Sequence, residues 1–126
     1  MVPQDLRYTK EHEWVRIVGN LATVGITGYA SEQLGDIVFV ELPELGRTVT
    51  QFSAVGVIES VKAVSDLFAP VGGEVVEANS ELANSPELLN ADPFGKGWML
   101  RIRLADAGQV DRLLDAAAYE ALTSEG

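Results

Sequence analysis

The chain has 126 residues, nine basic against nineteen acidic side chains, a formal charge of −10 and 47% hydrophobic residues. That apolar share over this length supports one folded domain and excludes a disordered acidic tail, while the lack of any basic window argues against nucleic acid as a partner. With no cysteine and one histidine, His12, disulfides, thiolate nucleophiles and cysteine-built zinc sites are excluded, and no transition-metal spacing is present.

The opening stretch MVPQDLRYTKEHEW has neither an apolar signal core nor an arginine-rich, acid-poor transit pattern, and no apolar run reaches membrane-spanning length. It predicts a cytoplasmic protein with no membrane association. Short runs of β-branched and aromatic residues follow: EWVRIV (13–18), LATVGI (21–26), DIVFVEL (36–42), AVGVIES (54–60), GEVVEA (73–78) and WMLRIRL (98–104). They read as strands. Gly19-Asn20, Pro43, Gly46, Pro70 and Gly72-Gly73 punctuate them, a spacing that suits a sandwich or barrel rather than βαβ units.

Two short helices interrupt the strands. YASEQLG (29–35) ends at Gly35, and SPELLN (85–90) places Ser85 as N-cap with Pro86 in the first helical position. From Asp106 the chain turns rich in alanine, leucine and acids, and Val110, Leu113, Leu114, Ala117 and Ala118 share one helical face. With Asp115 as an internal cap, one bent helix or two short ones fit equally, packed on the sheet. The whole forms a single unit, 1–126, with a core about 6–104 and a C-terminal helical segment about 106–124.

Three lysines are present, Lys10, Lys62 and Lys96. Lys10 and Lys96 sit in charged or turn-like stretches where solvation explains them. Lys62 lies between VIESV and AVSDLFAP, two extended segments of similar length, and so falls near the tip of a predicted β-hairpin. A lysine there ordinarily serves solubility. Its primary amine on a flexible stem also suits an amide-linked group held out in solvent, and acylation cancels its charge.

The stretches YTKEHEWV (8–15), VGITGYA (24–30), LGDIVFVELPELG (34–46), IESVKAVSD (58–66), APVGGEVVEANSEL (69–82) and PELLNADPFGKGWM (86–99) resemble, in order and spacing, the H protein of the glycine cleavage system. The resemblance covers roughly residues 6–104. It implies a mostly β barrel-sandwich hybrid, the fold of lipoyl and biotinyl domains, with short helices and a C-terminal helix. It further implies a carrier rather than an enzyme, with lipoate in amide linkage on Lys62 and no catalytic or metal-ligating residue of its own. The carrier takes the aminomethyl group of glycine from the pyridoxal phosphate-dependent glycine decarboxylase to the tetrahydrofolate-dependent aminomethyltransferase. Dihydrolipoyl dehydrogenase, a flavoprotein, then reoxidises the arm, and a lipoylating enzyme installs it. A monomer with transient complexes suits such a shuttle.

By the same resemblance Glu13 and Asp66 match positions that line the cleft for the loaded arm, and Glu59 matches a position for recognition by the lipoylating enzyme. Four residues depart from the family pattern: Gly28, Glu11, Val64 and Phe94. Glu11 adds negative charge beside the expected cleft. Val61 and Ala63, the neighbours of Lys62, differ from the methionines of biotin carriers, and Val61 differs from the aspartate usual in 2-oxo acid dehydrogenase domains. A lipoyl relay supplying other enzymes, an unmodified scaffold of the same fold, and a hydrolase built on Glu13 and Asp66 are the alternatives.

Overall fold

The computed structural model describes residues 2–124. In chain order the strands are β1 (Arg7–Tyr8), β2 (Glu13–Val18), β3 (Leu21–Ile26), β4 (Ile37–Glu41), β5 (Thr48–Val49), β6 (Ala54–Ser60), β7 (Val64–Phe68), β8 (Gly73–Ala78) and β9 (Leu100–Leu104). The helices are α1 (Gly28–Leu34), α2 (Leu88–Ala91) and α3 (Ala116–Ser124), with 3₁₀ turns at Ser80–Ala83, between β8 and α2, and at Ala107–Arg112, between β9 and α3.

The strands form two antiparallel sheets. A large sheet runs β1-β2-β3-β9-β8-β5 and a small one β4-β6-β7, and neither closes on itself. Alternation along each strand sends one set of side chains inward. Val15, Val24, Val75, Leu100 and Ile102 from the large sheet meet Ile37, Ile58 and Leu67 from the small one, all buried in one cluster. This is the expected two-sheet, mostly β architecture with short helices and a C-terminal helix. A second cluster, Leu6, Tyr8, Trp14, Ala116 and Tyr119, seats α3 against β1 and β2. Among the described residues no helix is long and apolar enough to cross a membrane.

Five of the six predicted strand segments lie within a residue of their expected bounds, and the sixth, at 98–104, starts two residues later, at Leu100. Helix α1 ends as expected at Gly35, whose φ of 80° is left-handed, and Thr27 caps its start by accepting from Ala30 N. The second helix differs. Ser85 N still donates to Glu81 O at 2.8 Å, completing the preceding turn, so Ser85 does not cap the next; α2 opens only at Leu88 after Glu87.

The C-terminal segment is two pieces, not one bent helix. Leu113 is extended, at φ −90° and ψ 159°, and Leu114 exchanges two 2.8 Å backbone bonds with Tyr8. Asp115 then caps α3 through Ala118 N at 2.8 Å, as expected. The break turns the face predicted across residues 110–118: Ala116 and Tyr119 are buried, while Ala117 and Ala118 are exposed.

Candidate functional site

Lys62 stands at the end of the β6–β7 hairpin, where Glu59 pairs with Val64 and only Val61 and Lys62 span the turn between Ser60 and Ala63. Ser60, 7% exposed, holds that turn from inside. Its N donates to Ala63 O at 2.8 Å, and its hydroxyl accepts from Ala63 N at 3.1 Å and Lys62 N at 3.3 Å. A serine here replaces backbone acceptors that a two-residue turn leaves unmatched.

The tip is also held from outside. Val61 N donates to Asp36 O at 3.0 Å, tying the hairpin to the connection between α1 and β4. Asn90 of α2 fixes that connection in turn: its Nδ2 donates to Gly35 O at 2.8 Å, and its Oδ1 accepts from Ile37 N at 3.0 Å. The lysine's stem lies over Gly35, where a Cβ would sit 3.4 Å from Lys62 Cε. Lys62 is exposed and has no ion-pair partner among the described residues. An accessible amine on a fixed base, beside a glycine that keeps its stem clear, fits an amide-linked prosthetic group. Sequence reasoning missed Asn90; its signal was a lone amide at the end of the short PELLN segment.

Glu13 lies elsewhere. It opens β2, is 2% exposed, and accepts from Thr9 Oγ1 at 2.5 Å and from Phe68 N at 3.1 Å, so one carboxyl joins the β1–β2 turn to the end of β7. Burial pushes its pKa up to about 7, against the two hydrogen bonds that favour the anion, and Glu11 nearby adds to the rise. A pocket of about 380 Å³ over it is lined by Thr9, Glu11, Glu13, Phe52, Phe68 and Arg112 among others.

His12, in the same turn, has φ 72° and meets Tyr119 OH through Nδ1 at 2.8 Å; Tyr119 OH also bonds Thr27 Oγ1 at 2.7 Å. Burial lowers the His12 pKa, opposed by Glu11. Tyr8 stacks on the same Tyr119 ring, centroids 4.7 Å apart. This network locks α3 to the start of α1, which gives His12 a structural occupation.

Asp66 and Glu59 occupy the outer face of the small sheet. Glu59 sits between Phe39 and Val64 in one cross-strand row, and Asp66 lies beyond Val57 from Glu41 in the next. Both acids are exposed. A groove of about 600 Å³ runs from Asp66, Val57 and Glu41 to the loop carrying Glu44, Leu45 and Arg47. The structure therefore groups Glu59 and Asp66 with the hairpin face, and Glu13 reaches the same strand from the other sheet through Phe68 N, two residues beyond Asp66.

A family model described as Glycine cleavage H-protein matches residues 6–126. The chain belongs to that family. It is 58% identical over 125 residues to the glycine cleavage system H protein of Symbiobacterium thermophilum, covering 99% of this chain and 98% of the relative. To the glycine cleavage system H protein of Brevibacillus brevis it is 54% identical, with 98% of each chain covered. The crystal structure of a glycine cleavage system H protein from Mycobacterium marinum superposes with TM-score 0.91 at 40% identity, covering 98% of this chain and 99% of that one.

The four departures from the family pattern fall in distinct settings. Glu11 is exposed at the rim of the Glu13 pocket, Val64 flanks Glu59 on the outer face, and Phe94 packs 6.1 Å from the Trp14 ring. Gly28 opens α1, with open space until Phe94 at 3.8 Å from a Cβ placed there.

Proposed function

We propose that the protein is the lipoylated carrier of the glycine cleavage system, with lipoate joined through an amide to Lys62 Nζ. The observation that carries this reading is the exposed Lys62 on a turn held by Ser60, Asp36 and Asn90, with its stem over Gly35. Bound lipoate supplies a ring disulfide open to thiol exchange. The chain's own part is to fix the base of the arm, neutralise the lysine by acylation and present the tip to enzymes that do the chemistry. The protein acts as a non-catalytic, cytoplasmic, single-domain monomer, meeting glycine decarboxylase, aminomethyltransferase, dihydrolipoyl dehydrogenase and a lipoylating enzyme in turn.

Glu59, three residues before Lys62 on the same strand, is the recognition residue for the lipoylating enzyme. Glu13 and Asp66 line the cleft for the loaded arm, Asp66 on β7 and Glu13 against the end of that strand at Phe68 N. Intact mass with peptide mapping, after treatment with a lipoate ligase and lipoate, tests the attachment. One lipoyl increment on Lys62, absent in Lys62→Arg, is expected. An unmodified Lys62 under conditions that lipoylate a known acceptor overturns the reading. Slower lipoylation of Glu59→Gln tests the recognition role. Faster loss of methylamine from loaded Glu13→Gln and Asp66→Asn tests the arm contacts, which unchanged release in both removes.

A further inference from the structure

The charges of the two sheets are distributed unequally. The large-sheet strands carry Arg7, Arg16, Arg101 and Arg103 with Glu13, Glu74 and Glu77; the small-sheet strands carry Glu41, Glu59 and Asp66 and no lysine or arginine. The two ion pairs among the described residues, Arg101–Glu77 at 2.6 Å and Arg103–Glu74 at 2.8 Å, both lie on the large sheet. On the small sheet all three acids face outward without an ion-pair partner among the described residues.

Large apolar side chains stand among those acids. A bulge between Ile37 and Phe39 leaves Val38 and Phe39 both 50% exposed, and Val64 and Val61 are 67% and 69% exposed. The rows Phe39–Glu59–Val64 and Glu41–Val57–Asp66 therefore alternate apolar and anionic groups over one face. Two edge strands bearing exposed aromatic and β-branched groups are costly in a free protein and mark a face that is covered part of the time.

We propose that this outer face of the small sheet is the docking surface for the carrier's partner enzymes, and that the occupant is a protein surface with an apolar seat for Phe39 and Val64 ringed by lysine or arginine. The inference deepens the carrier reading and rests on it. Complementary charge selects the occupant: a partner of like charge would meet Glu41, Glu59 and Asp66 together with the chain's net −10, whereas a basic rim finds three acids with no internal competitor on their own strands. The groove beyond Asp66 extends the footprint to exposed Leu45 and Glu44, with Arg47 closing its far wall. Asp66 lies about 13 Å along the strand from Lys62, so contact there leaves the arm free to enter an adjacent site. Exposed charges give fast, salt-sensitive encounters and quick release.

The test is binding of the lipoylated protein to its cognate glycine decarboxylase by interferometry, across a salt series. Phe39→Ser and Glu41→Lys are each expected to weaken binding about tenfold, and wild-type binding to weaken as salt rises. Val64→Ser, on the opposite edge strand, repeats the test without touching β4. Glu74→Lys, on the large sheet, is the control and is expected to stay within about twofold of wild type. Variants indistinguishable from wild type, an equal loss in the control, or no wild-type binding overturns the docking face. Glycine-dependent carbon dioxide exchange is measured alongside. Its absence with binding intact overturns the carrier reading and leaves the face standing; its presence with unaffected variants does the reverse.

Discussion

The two sheets share a core but finish their outer faces differently. On the large sheet Arg101 bonds Thr23 Oγ1 at 3.2 Å, pairs with Glu77 and lies 4.0 Å over the Trp98 ring, while Trp14 is roofed by Phe94 and donates to Pro93 O at 2.9 Å. Arg101, Arg103 and Trp14 each find partners within the chain there. The small sheet leaves Phe39 and Val64 half to two-thirds exposed beside unpaired acids. The large sheet is finished as a scaffold, whereas the outer face of the small one is the surface proposed to meet another molecule.

The largest expected effect attacks the scaffold. Gly73 has φ 151°, and a Cβ there would fall 1.9 Å from Arg103 O, backbone that cannot move without parting β8 from β9. Gly73→Ala is expected to cost about 4 kcal/mol or more in urea unfolding. Retention of wild-type stability would show that the β8–β9 pairing is not a rigid part of the large sheet.

Within the small sheet the inner and outer faces are expected to part company. Leu67→Ala, which opens a cavity at a fully buried position, should cost about 3 kcal/mol. Phe39→Ala should cost less than about 0.5 kcal/mol, because half of its ring is already in water. Equal losses in thermal or denaturant unfolding would mean that Phe39 serves the fold and not a partner.

Glu13 joins the two sheets, and pH reads that joint. Its carboxyl moves from 4.5 to about 7 on folding. Below 4.5 both states are protonated and stability is at its most favourable; as pH rises toward 7 the unfolded chain releases its proton first and stability falls; above 7 no further loss follows. Glu13→Gln is expected to flatten this slope and, above pH 7, to exceed wild type on the order of 1–3 kcal/mol. Parallel stability curves for the two proteins from pH 4 to 8 would show that the carboxyl is not buried as placed.

The smallest effect concerns the large sheet's ion pairs. A double-mutant cycle on Arg101 and Glu77 should give a coupling of about 0.2–1 kcal/mol, fading with salt. A larger, salt-resistant value would make the outer face of the scaffold a source of stability in its own right.

The hairpin strands were legible in the sequence because alternation over five to seven residues and turn residues such as Gly19-Asn20 act locally. Strands β1 and β5, two residues each, are too short to show a period and exist only because β2 and β8 lie beside them. The C-terminal face was misread for a related reason: Leu114 is recruited into a bridge by Tyr8, over a hundred residues away in the chain, and no local pattern announces it. The place of Lys62 at a hairpin tip was legible from its position between two extended runs. The burial of Glu13 was not, since it depends on Thr9 and Phe68 closing over a charged residue at a strand start, and neither was Asn90, whose partners Gly35 and Ile37 lie on another element.

The single bond from Val61 N to Asp36 O has a thermodynamic consequence for the arm. A loose loop would bring its own backbone freedom into every docking event, at about 1–2 kcal/mol for each residue that has to be stilled. With the turn already anchored, motion begins at the lysine side chain and ends at the group proposed for it. Under the proposed carrier function an arm on Lys62 is a pendulum on a fixed pivot, so each visit to an enzyme quenches side-chain torsions alone, and each departure restores the same pendulum in the same place.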